Sequence, residues 1–143
     1  MLTDTEIDCE TLFMSGDSSI WERQKIIEKL SKLKSVILVA TQVIEAGVDI
    51  DMDIGYKDCS KLDSEEQFMG RINRSCKGEG IVYFFNLDSA RMVYKDGDIR
   101  VDTEFTIMKT DMQEILRTKN FSDYYGEILE IERNNKKAKT KII

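Results

Sequence analysis

A polar stretch that follows an apolar run contains the first group of residues that could do chemistry. The run is residues 36–40, and after it come Thr41, Gln42, Gly47 and Asp49. The hydroxyl of Thr41 and the amide of Gln42 can hydrogen-bond phosphate oxygens or sugars, and Gly47 lets a backbone approach closely. The carboxylate of Asp49 can accept a hydrogen bond from a ribose hydroxyl. Because ligands of open α/β sheets bind beyond the carboxyl ends of the strands, these residues stand where a site is expected.

The same stretch has a purely structural interpretation. Thr41 and Glu45 can cap a short helix, and Asp49 can close a turn, which is how polar residues often serve the end of a strand. The stretch alone leaves both interpretations open.

The second group of residues lies further along the chain, on a predicted helix over 64–75. Gln67, Arg71 and Arg74 are spaced i, i+4 and i+7, which puts them on a single face of that helix. Two guanidinium groups and an amide on one face suit a polyphosphate, where they can neutralise charge on a transferring phosphoryl group. The alternative is an exposed helix face on which the arginines form surface pairs with acidic neighbours.

Strands alternating with helices must position these two groups. Apolar runs rich in β-branched and aromatic residues predict strands, and helical spacing of apolar residues after a serine cap predicts helices. The predicted strands are residues 10–14, 36–40, 53–57 and 81–85, and the predicted helices are 20–34, 41–46 and 64–75. This alternation indicates an α/β fold, a parallel sheet flanked by helices.

The pattern changes after residue 88. Two apolar segments on either side of Lys95–Asp98 predict a hairpin, and helical spacing predicts helices over 103–117 and 123–133. We therefore divide the chain into residues 1–88, which contain both chemical groups, and residues 89–143, a hairpin and helical C-terminal appendage.

Composition limits the classes of function. The chain has 143 residues, a net charge of −6 and no histidine, so His-ligated metal sites and imidazole acid–base chemistry are excluded. The acidic balance argues against a broad basic face for nucleic acid, so any such contact must be local. No apolar run approaches the ~18 residues that span a bilayer, which predicts no membrane contact. Three irregularly spaced cysteines form no disulfide or zinc pattern and indicate a reducing cytoplasm.

The two stretches together resemble motifs V and VI of superfamily 2 helicases. The first reads T-Q-V-I-E-A-G-V-D-I-D from Thr41, and the second fits Q-x-x-G-R-x-x-R from Gln67. The wording of the first is similar to the helicase part of the CRISPR-associated helicase-nuclease family of type I systems. Leu12–Gly16 with Arg23 resembles motif IV, and the resemblance extends over roughly residues 10–88.

This resemblance implies a fold and a binding role for the first group of residues. Residues 1–88 would be part of a second RecA-like domain, a three-layer α/β fold. Thr41 and Gln42 would contact the backbone of single-stranded DNA, and Gly47 and Asp49 would line the ATP side of a cleft.

The resemblance also implies a catalytic role for the second group. Gln67, Arg71 and Arg74 would face the γ-phosphate of ATP, with Arg74 or Arg71 as the arginine finger. No G-x-x-x-x-G-K-[ST] loop or D-E-x-H-like motif occurs in the sequence, so ATP and Mg²⁺ would be bound mainly by a first RecA-like domain in cis or in trans. The isolated chain is therefore expected to be inactive as an ATPase.

The partners implied are that first domain, single-stranded DNA, a CRISPR surveillance complex and a separate nuclease domain, because nuclease chemistry in the family needs histidines that this chain lacks. Two positions depart from the family pattern: Phe68 stands where an arginine commonly follows the glutamine, and Lys61 where a proline is usual. The alternatives are a helicase subunit of another superfamily 2 branch, and a degenerate or structural interaction fragment.

Overall fold

The computed structural model describes residues 9–45, 47–87 and 103–140. The chain divides into two compact units, one made of Met1–Lys57 with Gln67–Phe84 and the other of Asp58–Glu66 with Phe85–Ile143. The predicted boundary after residue 88 stays a prediction.

The first unit begins with two parallel strands and the helix between them. β1 (Glu10–Met14) pairs in parallel with β2 (Val36–Ala40), so that Phe13 lies opposite Val39, and α1 (Ile20–Leu30) connects the two strands. Both strands were predicted with these bounds, β1 from the turn residues at which it ends and β2 because a short apolar run rich in β-branched residues is typical of a parallel strand. A core of buried residues lies on one face of the pair. It consists of Met14, Val48 and Ile50, against which Ile26, Ile27, Leu30, Leu38, Ala40, Val43, Ile44 and Met52 pack.

Helix α1 starts as predicted and ends early. The hydroxyl of Ser19 accepts a hydrogen bond from the Glu22 amide at 3.3 Å, and the Glu22 carboxylate accepts one from the Ser19 amide, a reciprocal capping box. These bonds hold the pKa of Glu22 below its ordinary value. The predicted end at residue 34 is wrong, because Ser31 closes the last turn by donating its hydroxyl to the carbonyl of Glu28 at 2.8 Å.

A second pair of parallel strands follows. β3 (Ile54–Asp58) pairs with β4 (Ile81–Phe85), and the amide of Ile81 donates to the carbonyl of Asp53 at 3.1 Å. The described strands therefore form two parallel pairs rather than one continuous sheet. The α/β class and the parallel pairing are confirmed, whereas a single RecA-like sheet stays a prediction.

In the second unit, helices surround an aromatic cluster. The unit contains most of α2 (Leu62–Met69), a 3₁₀ turn at Thr103–Phe105, α3 (Thr110–Thr118) and α4 (Ser122–Thr140). The predicted helix over 103–117 is thus two pieces, and the one predicted over 123–133 continues to Thr140. The predicted hairpin around Lys95–Asp98 lies outside the described residues.

Tyr124 is the centre of that cluster. Its ring is almost completely buried, packs edge-to-face on Phe105 and Phe121, and donates its hydroxyl to Asp63 Oδ1 at 2.8 Å. Burial, together with the Asp63 carboxylate, raises the pKa of the Tyr124 phenol well above its usual range. The phenol therefore stays protonated and serves as a buried donor.

No helix within the described ranges is both long enough and apolar enough to cross a membrane.

Candidate functional site

The first group of predicted residues begins where β2 ends. The amide of Thr41 donates to the carbonyl of Met14 at 3.1 Å, and Gln42–Ile44 then form a single 3₁₀ turn in place of the predicted helix over 41–46. Thr41 and Gln42 are both exposed. The side chain of Thr41 makes no capping hydrogen bond, so the interpretation of this residue as a helix cap is wrong.

After the turn, the backbone alternates between buried and exposed side chains. Gly47 has φ +77°, a left-handed conformation that L side chains rarely adopt, which explains why glycine stands there. Val48 and Ile50 are buried in the core described above, while the side chain of Asp49 between them is 87% exposed. Anchoring on both sides therefore directs the Asp49 carboxylate to the surface.

The second group does not lie on one helix face. α2 ends at Met69, so the predicted helix over 64–75 is wrong and Arg71 and Arg74 lie in the turns that follow it. Gly70 is a poor helix former. The chain beyond it pairs instead with Met52. The amide of Met52 donates to the carbonyl of Arg71 at 3.0 Å, and the amide of Asn73 donates to the carbonyl of Met52 at 2.7 Å. A β-bridge between Met52 and Ile72 thus stands where the last turn of the helix was predicted.

Arg71 donates two hydrogen bonds to the backbone at the end of the Gln42–Ile44 turn. Its Nε donates to the carbonyl of Ile44 at 3.0 Å and its Nη2 to the carbonyl of Glu45 at 3.1 Å. The guanidinium is partly buried and binds the carbonyl end of the 3₁₀ turn, where backbone acceptors have no partner within the turn.

Arg74 is placed differently. Its Nη1 forms an ion pair with Asp49 Oδ1 at 2.5 Å, with 46% of the Arg74 side chain exposed. Its own amide donates to Asp51 Oδ1 at 2.7 Å, and the amide of Ser75 donates to Asp51 Oδ2 at 3.1 Å. The hydrogen bonds from Ser75 and from the Arg74 amide hold the pKa of the Asp51 carboxyl below its ordinary value. Asp51 thus fixes the backbone from which the Arg74 side chain extends.

Two residues of this site were not assigned roles from the sequence. One is Asp51, and the other is Lys57, whose Nζ lies 3.3 Å from Glu45 Oε1 in a largely buried ion pair. The period of a strand places Lys57 on the same face of β3 as Gly55, but only the structure shows that Gly55 on this face is buried. Glu45 is therefore held by its side chain to Lys57 and by its carbonyl to Arg71.

Phe68 is a core residue. It is buried and lies over Gly55, where a Cβ atom added to the glycine would stand 2.7 Å from Phe68 Cε1. The position at which the resemblance expects an arginine is thus occupied by a buried aromatic ring. Gln67, its neighbour, is exposed in the last turn of α2, and no hydrogen bond from it reaches the site among the described residues.

The structure thus brings Arg71, Arg74, Asp49 and the Gln42–Ile44 turn together and leaves Gln67 apart. Within the described part of the chain, no cluster of three or more Cys, Asp and Glu residues could hold a metal ion.

A known family matches this sequence. The family model described as "CRISPR-associated nuclease/helicase Cas3, C-terminal" matches residues 4–77, about half of the chain. The chain belongs to this Cas3-like C-terminal family. The matched part contains β1, β2 and every candidate residue from Thr41 to Arg74, and it ends before β4. No curated protein matches the sequence.

Proposed function

We propose that this Cas3-like chain supplies the arginine side of an ATP cleft and part of a single-stranded DNA track in a CRISPR-associated helicase. The cleft is completed by a first RecA-like domain, which contributes the phosphate loop and the Mg²⁺ ligands. The four described strands then belong to one second RecA-like domain.

The observation that carries the proposal is the setting of Arg74. Nη1 of its guanidinium donates to Asp49, and no described residue accepts a hydrogen bond from Nε or Nη2, which form one edge of the group. That edge presents two parallel N–H donors, the geometry that binds phosphate oxygens in a bidentate manner. Because Asp51 holds the backbone of Arg74, the exposed guanidinium extends from a fixed base.

The neighbouring residues fit a nucleotide. Asp49 is an anion that already pairs with Arg74 on the surface, so a phosphate of higher charge can replace it there and release its carboxylate for a ribose hydroxyl. Gly47 has no side chain and so adds no side-chain atoms beside Asp49. Bound ATP supplies the phosphoryl group, and Arg74 stabilises the negative charge that develops on it.

Contact with DNA falls to Thr41 and Gln42. Both are exposed just beyond the carboxyl end of β2, where a hydroxyl and an amide can hydrogen-bond a sugar–phosphate backbone without reading its sequence. With a net charge of −6, the chain provides a local contact and leaves most phosphate neutralisation to its partners. Those partners are the first RecA-like domain, a CRISPR surveillance complex and a separate nuclease domain.

The test is DNA-stimulated ATPase activity after a first RecA-like domain is joined to this chain or added in trans. We expect Arg74→Ala to lower kcat by about 10³-fold, the effect of removing an arginine finger, while single-stranded DNA affinity changes little. Arg117→Ala is the matched control, since Arg117 also forms an exposed pair with a carboxylate, Glu114, but on α3. An Arg74→Ala enzyme that turns over as fast as the control contradicts the proposal. A wild-type assembly with neither ATPase activity nor DNA binding favours the structural-fragment alternative.

A further inference from the structure

Two arginines three residues apart are bound in different ways. The Arg71 guanidinium is partly buried and donates to two backbone carbonyls, whereas the Arg74 guanidinium is exposed and pairs with one carboxylate. An arginine that binds a phosphate needs N–H donors that are not already used in other hydrogen bonds. The hydrogen bonds that each guanidinium makes within the protein therefore indicate which of the two can bind the phosphate.

We propose that Arg71 is a positioning residue, which holds the Gln42–Ile44 turn in place, and that Arg74 alone of the two serves the phosphate. This inference rests on the proposed function for the role of Arg74. The assignment of Arg71 to the turn rests on its own hydrogen bonds.

The two hydrogen bonds of the Arg71 guanidinium use the same edge of the group. Nε and Nη2 form one edge of the guanidinium, and both donate to the carbonyls of Ile44 and Glu45, at 3.0 and 3.1 Å. This is the edge that a bidentate phosphate contact uses. Arg71 would have to give up both of these hydrogen bonds to bind phosphate through it, which costs the free energy of two charge-assisted bonds.

The turn that Arg71 holds is short and has little stability of its own. A 3₁₀ turn of three residues has two internal hydrogen bonds, from Ile44 to Thr41 at 3.5 Å and from Glu45 to Gln42 at 3.1 Å. The guanidinium adds two charge-assisted bonds at its carbonyl end, which is also the end that favours a cation. The ion pair between Lys57 and Glu45 anchors the same end from β3.

This arrangement links the two halves of the site. The turn presents Gln42, which we assign to DNA, while the carbonyl of Arg71 accepts from the amide of Met52, just after Asp51, the residue that holds Arg74. A change in the Arg71 side chain removes the guanidinium bonds to the turn and leaves the backbone bond to Met52 and the hold of Asp51 on Arg74 in place, so it should disturb the DNA-binding turn first.

The first test uses the full chain alone and does not depend on ATP. Arg71→Lys keeps the charge but cannot donate to both carbonyls in a bidentate manner. In this variant we expect the rate of amide hydrogen exchange at Ile44 and Glu45 to rise by about 10- to 100-fold. Arg74→Lys is the matched control and should leave these amides within about twofold of wild type, because Arg74 does not contact the turn. Amides of β2 report whether each variant is folded. Unchanged exchange at Ile44 and Glu45 in a folded Arg71→Lys variant overturns the proposal.

The second test separates binding from turnover in the assembly with a first RecA-like domain. Arg71→Lys should raise the DNA concentration that gives half-maximal ATPase stimulation by about tenfold and lower kcat by less than that, whereas Arg74→Lys should lower kcat by about 10³-fold. A kcat loss in Arg71→Lys equal to that in Arg74→Lys, with unchanged DNA dependence, makes Arg71 a phosphate ligand and overturns the inference. If neither variant changes kcat or DNA dependence, the proposed function fails, and the exchange experiment still decides what Arg71 does in the turn.

Discussion

Replacing Gly55 with alanine places a methyl group against the ring of Phe68. A Cβ at this position lies 2.7 Å from Phe68 Cε1, and 2.9 Å from both Phe68 Cζ and Ile72 Cδ1. Carbon atoms in contact prefer a separation of about 3.5–4.0 Å, so the ring must move by roughly 1 Å. Gly55 does not have a left-handed backbone, so the expected effect is steric and not conformational.

The magnitude follows from two opposing contributions. Overpacking a core by one carbon costs about 1–3 kcal/mol, while alanine stabilises by about 0.4–1 kcal/mol because it restricts the unfolded chain. We therefore expect Gly55→Ala to lower the free energy of unfolding by about 1.3 kcal/mol, the centre of a range of about 0–2.6 kcal/mol. At roughly 2–8 °C per kcal/mol for chains of this size range, the midpoint of thermal unfolding should fall by a few degrees or more.

Thermal unfolding followed by circular dichroism measures this effect, and the chain offers a matched control. Gly78→Ala makes the same chemical change where no atom of the described residues lies within 4 Å of the added Cβ, so it should leave the midpoint unchanged or raise it slightly. In a Phe68→Leu background, the smaller side chain should reduce the cost of Gly55→Ala by about 1 kcal/mol. Equal effects at Gly55 and Gly78, or an equal cost of Gly55→Ala in both backgrounds, would refute the assignment of Phe68 to the core over Gly55.

Two further predictions concern Asp51 and Gly126. The pKa of Asp51 lies below its ordinary value of 3.8, so its hydrogen bonds stabilise the protein above that pH and this contribution is lost as the pH falls through the lower folded value. Urea unfolding of wild type and Asp51→Asn should show a stability difference that narrows below about pH 3.8, and a constant difference down to about pH 2 would contradict this. Gly126 is exposed on α4 with open space around it, so Gly126→Ala should raise the free energy of unfolding by about 0.5–1 kcal/mol, and a lower thermal midpoint would count against this.

The sequence was a reliable guide where the structure is decided locally. The bounds of β1, β2 and β4 were predicted correctly, because β2 and β4 are short apolar runs and β1 ends at a cluster of turn residues. The start of α1 was predicted from its serine cap for the same reason. The end of α2 was not, because residues 64–75 keep a helical spacing while their backbone bonds to Met52, about twenty residues earlier in the chain. A periodicity within one segment contains no information about such a partner.

The candidate site shows the same division. Thr41, Gln42 and Asp49 were located by motif and lie exposed beyond a parallel strand, as the α/β pattern predicts. The different settings of Arg71 and Arg74 could not be predicted, since an i, i+3 spacing on a helix would have given the two side chains similar surroundings. Their partners, the carbonyls of residues 44 and 45 and the carboxylates of residues 49 and 51, are 23 to 27 residues away in sequence.

One expectation from the sequence points beyond the described residues. The composition of β2 is typical of a strand buried on both faces, yet α1 and the core cover only one of them. On the other face Ile37 and Val39 are 45% and 47% exposed, and Phe13, directly opposite Val39 on β1, is 68% exposed. No charged side chain stands between these three, so this face has the character of a core surface and not of a solvated one. The described part of the chain thus provides one of the two layers that such a strand requires. The exposed apolar residues Ile37 and Val39 are the ones that a second layer would cover.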